Sequence, residues 1–123
     1  LNNIIKKYKK VIFIGISSGG YAAILFGSLC KIDCVIAIIP QVIIKNPINK
    51  KYKNLKKIIY PKTKYILFGN PEIVDINDLH SIKQCRILKS FRNVYMIEIK
   101  NLNIKNLVND GKLYKLLKII ILN

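Results

Sequence analysis

The sequence predicts an α/β protein: a parallel sheet of about four strands with helices on both faces, a three-layer arrangement. Three observations lead there. Short apolar runs rich in β-branched residues alternate with longer amphipathic stretches, the pattern of consecutive βαβ units. The apolar runs show no polar alternation, as expected of strands covered on both faces. Strands joined through helices run parallel, with right-handed crossovers. At 123 residues the chain holds one core, so 1–123 is read as a single domain.

The elements follow in order. Val11-Ile12-Phe13-Ile14 is the first strand, and a helix covers 19–30. The second strand, 34–39, is stopped by Pro40, which can neither donate to a ladder nor continue it. Residues 49–59 are expected as a Lys-rich helix with few apolar anchors. Tyr65-Ile66-Leu67-Phe68 is the third strand, ended by Gly69-Asn70-Pro71. A helix over 76–88 follows acidic residues that suit a helix N-terminus. The fourth strand is 94–99. The amphipathic stretch 104–122 is interrupted at Asp110-Gly111 and reads as two short helices.

The formal charge of +16 would ordinarily direct attention to nucleic acid or an anionic membrane. Composition explains it more simply. The chain has 26 Ile, 20 Lys and 13 Asn but only two Arg, Arg86 and Arg92. Lys, Asn and Ile are the residues of A/T-rich codons, and the lysines are scattered rather than gathered. Arg, the better fork for phosphate, is nearly missing, so no specific nucleic-acid partner is expected. Cys30, Cys34 and Cys85 form no CxxC pair and have one histidine, His80, for company. That is neither a disulfide framework nor a metal site, and a cytoplasmic setting fits. The longest apolar run, 35–44, is broken by Pro40 and Gln41, so no membrane span is expected. The chain begins at Leu1 rather than Met, and is expected to be a fragment or truncated copy of something longer.

One motif carries chemistry. Gly15-Ile16-Ser17-Ser18-Gly19 follows a β-branched strand and opens a small-residue helix. A sharp strand-to-helix turn strains the backbone at its central serine, and Gly15, Gly19 and Gly20 leave room for the bend. The Ser17 hydroxyl then clears the sheet, and the Ser18 amide at the helix N-terminus is placed to stabilise an oxyanion. A dinucleotide fingerprint is the alternative for a Gly-rich βα turn. It would need Gly where Ser17 stands and an acidic residue where Pro40-Gln41 stand, so no cofactor is expected.

Residues 15–27, reading GISSGGYAAILFG, resemble the nucleophile segment of bacterial α/β-hydrolases of the type GxSxGGYAALLFG. Ile39-Pro40-Gln41 is similar to the SPQ that follows in that group. Asn101-Leu102-Asn103-Ile104-Lys105-Asn106-Leu107, then Gly111-Lys112-Leu113, resembles the closing HNVVKxL…GKL segment. The resemblance implies a partial α/β-hydrolase fold, comprising the strands from the nucleophile onward. It implies a serine hydrolase acting on an ester or other acyl bond of a small molecule, with Ser17 as nucleophile.

The same resemblance puts Asn101 at the place of the catalytic histidine, and an amide is no general base. The triad acid falls among Glu72, Asp75 and Asp78, with Asp75 preferred by its offset past Gly69; each also suits a cap or first turn of the helix that follows. His80 resembles a helix-start residue of the group and is read as structural, with service as a substitute base the alternative. Two functions therefore stand: an impaired serine hydrolase, and a hydrolase-like domain without turnover. A basic binding module ranks behind both.

Overall fold

The computed structural model describes residues 1–122. Its centre is one four-stranded parallel sheet, ordered β1 (Ile12–Ile16), β2 (Cys34–Ile38), β3 (Lys64–Gly69) and β4 (Val94–Glu98). Neighbours align Phe13 with Val35, Val35 with Tyr65, and Tyr65 with Val94. Sequential order follows from βαβ chemistry, because each crossover returns the chain beside the strand it left.

Helices cover both faces. A short α1 (Asn2–Ile5) precedes the sheet. On one face lie α2 (Ser18–Leu29) and α3 (Ile82–Arg86), packed through Ala23, Ile24, Ile82 and Cys85 onto Val35, Ala37, Tyr65 and Leu67. On the other lie α4 (Ile104–Asn109) and α5 (Lys112–Leu122), whose Leu107, Leu113 and Leu116 meet Ile36, Ile38, Ile66 and Phe68. Alternate residues of β2 and β3 thus feed two cores, and β2 is buried along its whole length. β1, one of the two edge strands, is only partly buried, and Ile14 remains 41% exposed.

Two expectations are corrected. The stretch 49–59 is not a helix but two 3₁₀ turns, Lys50–Tyr52 and Leu55–Lys57. Asn49 and Asn54 each turn a side-chain oxygen onto a backbone amide two residues ahead, at 3.0 Å, and Leu55 alone among the helical residues is buried. Asn competes with the helix here, and too little apolar surface opposes it. The helix expected over 76–88 shrinks to α3 (Ile82–Arg86). Residues 75–80 are used up in turns, Asp75 accepting from the Asn77 amide and Asp78 from the His80 amide, and Ser81 caps α3 through the Lys83 amide. The break at Asp110-Gly111 is as expected, with Gly111 at φ +67°.

A polar clasp fixes the entry to β3. Thr63 is fully buried and donates to the Ile32 carbonyl at 2.6 Å. Thr63→Val keeps the shape but strands that carbonyl, and is expected to lower unfolding free energy by about 1–2 kcal/mol in urea titration.

Candidate active site

The site is assembled at the carboxyl ends of the strands, where crevices open in parallel sheets. β1 runs into Ser17, which has φ 56° and ψ −117°, a conformation that a side-chain-bearing residue adopts only under constraint. The constraint is visible. The Ser17 amide donates to the Ile38 carbonyl at 2.9 Å, and the Ser17 carbonyl accepts from Tyr21 and Gln41. Next door, β2 ends in a second residue of this kind, Ile39 at φ 40°, whose amide reaches the Phe68 carbonyl at 2.7 Å. A β-branched residue there is a marked outlier, and nothing in the composition of Ile39-Pro40 signals it.

The motif glycines have unequal parts. A Cβ at Gly15 would lie 1.9 Å from the Gly19 carbonyl oxygen, and one at Gly20 would lie 2.8 Å from Pro40 Cβ. Gly19 has nothing within 4 Å of such an atom, so its own side of the turn is open. Close approach therefore demands Gly15 and Gly20. Farther along α2, Gly27 meets Val35 in the same way.

Ser17 is half-buried, and its Oγ stands 2.7 Å from Nε2 of His80, itself half-buried. The pair is 63 residues apart in sequence. His80 reaches Ser17 because the turns of 75–80 replace the expected helix, leaving the imidazole on the loop after β3. No other hydrogen bond of the His80 ring is formed among the described residues. Glu72 instead accepts from the Asn101 amide at 2.8 Å, while Asp75 and Asp78 serve their own turns.

Asn101 sits at φ 62° in the loop after β4, its side chain exposed. The buried Asn70 binds that loop to the one after β3, donating to the Leu102 carbonyl at 3.1 Å and accepting from the Glu72 amide at 2.9 Å. Asn101 and Asp75 thus lie in the loops around the site, and neither makes a hydrogen bond to Ser17 or to His80. The Ser18, Gly19 and Gly20 amides precede the first backbone bond of the turn, Tyr21 to Ser17 at 3.2 Å, and stand at the positive end of α2.

A strained serine at a strand end, with an imidazole on its hydroxyl, is an arrangement found in hydrolases. The chain is similar in fold to an esterase domain. That domain, from a Rhodothermus marinus protein, superposes with a TM-score of 0.58 over 87% of this chain at 13% identity. At that identity the likeness is one of fold. The chain spans 58% of that domain's length. No family model and no curated protein matches the sequence. Among the described residues, no group of His, Cys, Asp and Glu is arranged to hold a metal ion, and no helix is long and apolar enough to cross a membrane.

Proposed function

We propose that the chain is a slow serine acyl hydrolase working through a Ser17–His80 pair on small-molecule esters. The 2.7 Å contact between Ser17 Oγ and His80 Nε2 carries this reading. With its proton on Nδ1, the imidazole accepts from the hydroxyl as Oγ bonds to the acyl carbon. The carbonyl electron pair moves to oxygen, where the Ser18 amide stabilises it. The tetrahedral adduct then collapses, the alcohol leaves with the proton from His80, and water repeats the sequence on the acyl-serine.

Slowness follows from the third position. A carboxylate on Nδ1 normally fixes the tautomer and steadies the imidazolium, and its loss typically costs about 10⁴-fold in kcat. The same feature, with Asn101 where the resemblance puts histidine, favours the second reading of a domain without turnover. The free thiols of Cys30, Cys34 and Cys85 support a reducing, cytoplasmic setting, and no specific nucleic-acid partner is proposed.

The test is a fluorophosphonate probe, which reacts only with an activated serine. The chain is expected to become labelled over hours, with the adduct on the peptide containing Ser17, and Ser17→Ala to remain unlabelled. Equal failure of both would assign the domain without turnover.

A further inference from the structure

We propose that the cavity lined by Leu79 and Ser81, the chain neighbours of His80, is the acyl pocket of this site and takes a medium-length apolar acyl chain, an assignment that rests on the Ser17–His80 reading. The cavity holds about 280 Å³ and is lined by Ile43, Ile76, Leu79 and Ile87 together with the exposed Lys45, Asn77 and Lys83.

Its walls are tied to the reacting pair through the backbone. Leu79 and Ser81 flank His80, and Ile43 lies two residues beyond Gln41, whose amide bonds the Ser17 carbonyl at 3.3 Å. Two polar atoms of the wall are engaged by the backbone. Gln84 Oε1 accepts from the Val42 and Ile43 amides at 2.8 and 3.0 Å, and Ser81 Oγ accepts from the Lys83 amide at 3.3 Å. An apolar chain gains by burial against the four aliphatic side chains. Ile76 is 71% exposed and Leu79 44% exposed, so two large aliphatic side chains line this wall with much of their surface uncovered. No carboxylate lines the cavity, so the acid released on hydrolysis is not repelled from it.

The experiment compares kcat/KM for p-nitrophenyl acetate, butyrate, hexanoate and octanoate, for the parent chain and for Ile76→Ser/Leu79→Ser. Both positions are exposed, and a thermal melt checks that the double variant folds. The parent should favour hexanoate over acetate by roughly tenfold or more, and the double variant should lose most of that ratio. Calorimetric titration of Ser17→Ala, which needs no turnover, should detect hexanoate but not acetate, and adding Ile76→Ser/Leu79→Ser should abolish the signal.

Ester hydrolysis with a flat chain-length profile and no hexanoate binding would overturn the pocket and leave the Ser17–His80 reading standing. Binding without hydrolysis by the parent would uphold the cavity's ligand class while removing the hydrolase. Failure of both measurements would overturn both.

Discussion

His80→Ala is expected to reduce kcat/KM for p-nitrophenyl hexanoate as far as Ser17→Ala does, to a common floor. The double variant should fall no further. Groups that act as one unit are not additive, because once the proton acceptor is gone the hydroxyl has nothing left to contribute. The expected loss is about 10²-fold, because a site already without the carboxylate has only the remainder of the unit's contribution left to lose, and binding and oxyanion stabilisation persist. A structural histidine would behave otherwise. Its loss would lower the thermal midpoint and leave turnover per folded molecule intact. Asn101→His in the His80→Ala background is expected to restore nothing, because the Asn101 side chain makes no hydrogen bond to Ser17 and the backbone N–H of that residue, donated to Glu72 at 2.8 Å, holds the loop where it is. Recovery there would show that the loop after β4 supplies the base, and would displace His80 from the mechanism.

Gly15→Ala is expected to be the most damaging small substitution in the chain. The new methyl would sit 1.9 Å from the Gly19 oxygen, 2.3 Å from the Gly19 carbonyl carbon and 2.7 Å from the Gly20 nitrogen. All three are backbone atoms, so no side-chain rotation relieves the clash, and the start of α2 must move away from β1. Overpacking against rigid atoms costs about 3 kcal/mol or more, and displacing α2 also takes the Ser17 hydroxyl off His80. Gly19→Ala is the control. Open space surrounds that position, and alanine is the better helix former by up to about 1 kcal/mol, so the substitution should be neutral or mildly stabilising. Urea titrations of the two variants make the comparison, and equal losses would show that the turn at Ser17 does not rest on Gly15.

The difference between those glycines marks how far a motif can be read. Gly15-Ile16-Ser17-Ser18-Gly19 located the turn and the serine at its centre, because strand, glycine and helix signals are local in sequence. It did not distinguish the glycine pressed against backbone from the one facing open space, since that depends on what packs beside each. The same limit applies to residues 49–59 and 76–81. A Lys-rich helix and a helix behind acidic residues were expected there, but Asn49, Asn54, Asp75 and Asp78 bonded to nearby amides instead, a competition settled by how little apolar surface those stretches bury.

The four strands, their parallel order and the break at Asp110-Gly111 were determined by the sequence alone. Runs such as Cys34–Ile38 are apolar on both faces and have no stable place except between two layers. What only the tertiary structure decided is which side chain meets the serine. Chain order and family resemblance pointed to the loop after the fourth strand, where Asn101 stands. The folded chain brings in His80 from the loop after the third, across 63 residues, because turns at Asp75 and Asp78 hold that loop out of a helix and against the turn at Ser17. A contact of that kind is made by packing between distant segments, and no local pattern in either segment encodes it.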